Sequence, residues 1–168
     1  MTALDAKTQM ETARAELKRS YALSDYEAVD VAWVAVIKIA NLLTGNSEYS
    51  RLITLLERLP EDRVRTLLAH KAIDSLLSLD PSLETVLSIP YERLDAERTA
   101  KELFALRQNR DHNPKVALRN LAEILKRIRN RRAHGFKTPY GLKDQQILGA
   151  AAPILRAIGE ASIETVGI

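Results

Sequence analysis

The chain contains no cysteine. That absence excludes disulfides, thiolate catalysis and cysteine-based zinc sites together, and it fits a reducing compartment. Glycine and proline are sparse, six of each in 168 residues, which is too little material for the many turns of an all-β fold. Histidine occurs three times. His70 and His112 lie in unrelated segments, and neither has a second ligand at helical spacing except His70 with Asp74. That i,i+4 pair reads as a surface hydrogen bond, so no metal site and no cofactor are expected. Asp111-His112 reads as loop and capping chemistry. No Gly-rich phosphate loop and no nucleophile elbow is present, which excludes P-loop or Rossmann nucleotide binding and a serine-hydrolase arrangement. Long apolar runs are missing too. The longest, Val31–Ile37, is bounded by Asp30 and Lys38 and falls far short of a membrane span. The start, Met1-Thr-Ala-Leu-Asp-Ala-Lys, carries an acid where a signal peptide needs apolar residues. These features lead to the expectation of a cytoplasmic protein with no membrane partner.

What is there is an ordinary globular mixture, 46% hydrophobic and 28% charged, enough for one domain spanning 1–168 with a full core. Helical periodicity dominates. An amphipathic helix is expected from Leu4 to Tyr21. Ser24, with Glu27 three residues on, offers a capping box for a second helix that stops at Thr44-Gly45-Asn46. It is apolar nearly all round and should be the central buried helix, with Trp33 packed in the core. Further helices are expected at Ser47–Leu59 and Glu61–Leu79, with a short turn at Ser82–Ser88, each ending near a proline. Another spans Asp95 to Asn109. Asn113-Pro114 then supplies an N-cap and a first-position proline for a helix from Lys115 to His134, which Gly135 can end. A basic loop, Phe136 to Lys143, leads to a last helix from Asp144 to Glu164. The fold expected is all-α, a helical bundle of about five core helices with additional short helices.

The formal net charge is +3, but between Lys101 and Lys143 twelve Lys/Arg face three Asp/Glu, a local excess of nine positive charges that leaves −6 for the remainder. Such asymmetry fits a surface facing a polyanion, and it fits equally a basic face that binds only solvent.

The informative stretch is Leu125-Lys-Arg-Ile-Arg129-Asn130-Arg131-Arg132-Ala133-His134-Gly135. On a helix, Leu118, Leu121, Leu125 and Ile128 form an inward stripe. Measured from Ile128, Arg129 lies at about 100°, Asn130 at about 200° and His134 at about 240°. All three are therefore expected to point away from the core, whereas Arg132, at about 40°, flanks the stripe and reads as structural. Arg127 and Arg131 repel at i,i+4, with Glu123 able to offset Arg127. Position alone favours a plainer reading, a basic last turn complementing the helix dipole. Histidine titrates near neutrality and can act as acid or base, and arginine can hold a phosphate through two parallel hydrogen bonds.

Arg129-Asn130-x-x-x-His134 resembles the R-x4–6-H motif of HEPN domains, in which a polar residue, often Asn, follows the Arg. Gly135, the preceding apolar helix, the further helix after a short loop and an early apolar helix containing Trp33 resemble that family's context. The resemblance implies a HEPN-like helical fold, homodimers that bring two motifs together, and metal-independent RNA cleavage in active members. Carried onto this chain, it makes His134 the acid/base group and Arg129 the phosphate holder, with Asn130 orienting one of these or bonding the phosphate. Lys126, Arg127, Arg131 and Lys137 would bind the RNA, and a cognate antitoxin or regulatory protein is a further partner by analogy. The chain departs from the toxin branch at Phe136, where that branch carries a modified Tyr; the nearest tyrosine here is Tyr140. Two alternatives remain open: a non-catalytic HEPN-like module binding RNA or protein through the same surface, and a helical DNA-binding module, for which no helix-turn-helix spacing speaks.

Overall fold

The computed structural model describes residues 1–79, 93–133 and 142–167, with the backbone alone at 93–96, 131–133 and 142–144. Eight helices occur among them: α1 (Ala3–Ser20), α2 (Asp25–Ala40), α3 (Glu48–Arg58), α4 (Glu61–Leu68), α5 (Lys71–Leu77), α6 (Arg93–Asn109), α7 (Pro114–Ala133) and α8 (Leu142–Val166). The described residues form no strand, and none of their helices is long and apolar enough to cross a membrane. The protein is all-α, as the periodicity predicts.

Nine of the sixteen residues of α2 are buried, Trp33 among them at 6% exposure. The helix lies between α1 and α8 and supplies the middle of the core. Each fully buried Val, Leu or Ile adds about 1.5–3 kcal/mol relative to an exposed position. α1 and α8 approach closely because residue 159 is glycine: a Cβ there would sit 2.9 Å from Leu17 Cδ1. Arg156 on α8 then reaches the end of α1, donating to the Ser20 carbonyl at 2.5 Å and the Ser20 hydroxyl at 3.3 Å. Its guanidinium lies 4.8 Å over the Tyr21 ring, and the Tyr21 hydroxyl donates to Glu160.

Several expectations need correction. Ser24 precedes α2, but its side chain makes no cap bond; its hydroxyl instead lies 3.4 Å from the Glu27 carboxylate. Capping boxes form elsewhere, between Thr2 and Asp5 on α1 and between Ser47 and Ser50 on α3. The helix expected from Glu61 to Leu79 is two helices. His70 has extended backbone, and its Nδ1 accepts from the Ala72 N–H at 3.1 Å, which starts α5. The Arg110 side chain bridges the break, donating to the Leu68 carbonyl at 2.7 Å and pairing with Asp74 at 2.5 Å. Asp74 therefore serves Arg110 rather than His70, and that guanidinium holds its carboxyl below the usual carboxylate range. Boundaries shift elsewhere: α2 stops at Ala40, and α8 starts at Leu142, inside the expected loop. The turn at 82–88 and the helix stop at Gly135 lie outside the described residues, as does most of the basic loop.

Candidate functional site

The site is built on α7. Its apolar stripe is buried as expected, with Leu118, Leu121, Leu125 and Ile128 each at 1% exposure or less. Ala117, Ala122 and Ile124 are buried beside them. The hairpin of α6 and α7 is tied by Asn120, which donates to Glu102 at 2.9 Å.

Much of the positive charge on this hairpin serves the fold. Arg107 donates to the Leu77 carbonyl at 2.9 Å, at the end of α5. Arg110 does the same for Leu68, at the end of α4. Lys115 donates to the Glu57 carbonyl at 2.8 Å and to the Leu59 carbonyl, at the end of α3. Three consecutive short helices thus each end on a cation carried by the hairpin. A helix C-terminus exposes carbonyls with no intrahelical donor and a partial negative charge. Cations satisfy both needs, at about 1.5–3 kcal/mol for a hydrogen bond to a charged group. Arg119 pairs with Glu57. The excess of positive charge over 101–143 therefore overstates what is left for a polyanion.

Further along α7, Lys126 Nζ lies 4.5 Å over the ring of Tyr49 from α3. Glu123, one turn back from Lys126, stands close enough to the Tyr49 hydroxyl to act on it. Burial pushes that phenol upward, the nearby carboxylates of Glu123 and Glu102 add to the rise, and Arg119 opposes it. The ring stays neutral at physiological pH. Nothing in the sequence singles out Tyr49; the Glu123–Lys126 spacing on one helix face is legible there, but no local signal places α3 beneath it.

Arg129 and Asn130 come together in the last described turns of α7. Arg129 Nη1 donates to Asn130 Oδ1 across 3.4 Å. Both residues are half-buried, and Arg129 Nε is enclosed with no hydrogen-bond partner among the described residues. This corrects the expectation that Arg129 points clear of the core. At about 100° from Ile128 it sits on the shoulder of the apolar stripe, where its inner nitrogen loses water. Arg127 is half-buried as well. The side chain of Arg131 lies outside the described residues, and so do His134 and Lys137 entirely. Of the candidate catalytic residues, the described structure brings together Arg129 and Asn130. A groove of about 890 Å³ between α5 and α8 is lined by His70, Lys71, Gln146 and Pro153 among others; of the described candidate residues, Lys126, Arg127, Arg129 and Asn130 do not line it.

The chain matches no protein-family model, no curated protein and no solved structure.

Proposed function

We propose that this protein is a HEPN-type endoribonuclease that cleaves RNA without a metal ion, acting in the cytoplasm as a homodimer with toxin or antiphage-defence character. The observation that carries the reading is the Arg129–Asn130 pair at the end of α7, with a guanidinium nitrogen shielded from water and left unpaired. A buried, unsatisfied charged donor is costly, and an anion held by the rest of the same guanidinium would offset that cost. His134 follows the last described residue of the helix directly in sequence.

In this reaction the ribose 2′-oxygen attacks the adjacent phosphorus while a base takes its proton. The bond from phosphorus to the 5′-oxygen breaks, and an acid protonates that oxygen. The products are a 2′,3′-cyclic phosphate and a free 5′-hydroxyl. His134 supplies a proton-transfer group, Arg129 holds the phosphate as charge builds on it, and Asn130 orients the guanidinium or bonds a phosphate oxygen. DNA lacks the 2′-hydroxyl and is not cleaved by this route. Arg127, Arg131 and Lys137 are the proposed contacts to the RNA backbone; Lys126, the fourth cation of that set, rests over the Tyr49 ring. By family analogy, a cognate antitoxin or regulator is a further partner.

The test is incubation of the purified protein with total cellular RNA in EDTA, beside His134→Ala and Arg129→Ala. Wild type should leave cyclic-phosphate ends, and each variant should lose about 100-fold or more in rate while keeping its helical circular dichroism. Equal cleavage by all three would overturn the assignment. RNA binding without cleavage by wild type would favour the non-catalytic module instead.

A further inference from the structure

The outer face of α7 changes character one turn before Asn130. Lys126 precedes Asn130 by four residues and shares its face, yet its ammonium group rests over the Tyr49 ring. Beside that ring stand two carboxylates from two helices, Glu102 on α6 and Glu123 on α7. The cations beside them are already engaged, Arg119 with Glu57 and Lys126 with Tyr49.

We propose that Tyr49 and Glu123 hold Lys126 back from phosphate, so that Glu123 marks where the polyanion-binding surface ends on α7. The inference rests on the RNA reading above. A phosphate that recruits Lys126 must draw it off an aromatic face and away from a carboxylate one turn back, and must itself approach Glu123 and Glu102. Like charges at such a border discriminate by repulsion. An RNA strand is then kept toward the C-terminal end of α7, and a strand lying further up the helix is disfavoured. Glu123 is in this sense a specificity-determining residue, set back from Arg129 and Asn130 by roughly two helical turns.

The experiment measures affinity for heparin and for a short single-stranded RNA as a function of salt. It compares wild type, Glu123→Gln, Tyr49→Leu and a control, Glu11→Gln on the exposed side of α1. Glutamine keeps the size and polarity of the Glu123 side chain while removing the charge. Glu123→Gln should bind both polyanions about two- to five-fold more tightly at low salt. Its salt dependence should steepen by about one unit, because one more cation joins the phosphates. On heparin addition, the Lys126 side-chain NMR signals should shift in this variant more than in wild type. Tyr49→Leu should change in the same direction, read only if its melting temperature shows it folded. A gain no larger than that of Glu11→Gln, or a loss of affinity, overturns the proposal. Heparin binding without RNA binding sinks the ribonuclease reading but leaves this one standing if Glu123→Gln still gains. No binding to either polyanion by any variant overturns both.

Discussion

An arginine near the end of a helix ordinarily keeps its guanidinium in water or meets a carboxylate. Arg129 does neither with its Nε, which is enclosed and has no partner among the described residues. Arg156 shows the contrary case. Its guanidinium satisfies the Ser20 carbonyl and covers the Tyr21 ring, a purely structural use of the same chemistry. The Tyr21 site also makes a pH prediction. Burial first, then the hydrogen bond to Glu160, pushes the Tyr21 phenol from 10.0 up to about 12. A phenol whose folded value is raised stabilises the fold fully below its unfolded value, and that contribution is lost as pH rises through the folded one. The urea midpoint should therefore fall between about pH 10 and 12, and Tyr21→Phe should flatten part of the fall. Tyr49 is pushed the same way, so the single substitution leaves a remainder. A midpoint with the same slope in both proteins over that range would contradict the assignment.

At the scale of elements, the short helices α3, α4 and α5 depend on cations from the α6–α7 hairpin. Arg110 links two of them, joining the end of α4 to Asp74 on α5. Arg110→Ala should cost about 1.5–3 kcal/mol, since it leaves the Leu68 carbonyl without this charged donor. The effect should be local: hydrogen exchange of α5 amides should quicken more than that of α2. Uniform acceleration across the chain, or none in α5, would count against the junction. This junction also explains why the periodicity predicts one helix where two occur. Residues 61–79 carry a continuous helical pattern, and nothing in Ala69-His70-Lys71 forbids its continuation. The break is stabilised by His70 capping α5 and by a guanidinium some 36 to 42 residues further along the chain. The periodicity of α7, by contrast, is legible, because a stripe at spacings of three and four is a property of the helix alone.

For the whole molecule, the proposed chemistry needs two proton-transfer groups and one motif provides one histidine, so the active unit is expected to be a dimer with a composite site. Mixing wild type with excess His134→Ala should then depress activity beyond simple dilution, with subunit exchange and dimer mass checked under the same conditions. Loss merely proportional to the wild-type fraction would argue for independent sites, and a fully active monomer would remove the shared site. The all-helical class, the central place of α2 with Trp33, and the inward stripe of α7 were determined by the sequence alone. Each depends on residues a few positions apart, whose spacing sets which face of a helix meets the core. Tertiary structure alone decided which cations of 101–143 cap neighbouring helices, that Tyr49 lies under Lys126, and that Arg129 is shielded rather than free. Those outcomes join residues from different helices, and burial and pairing there depend on which elements pack together, a property that no local pattern carries.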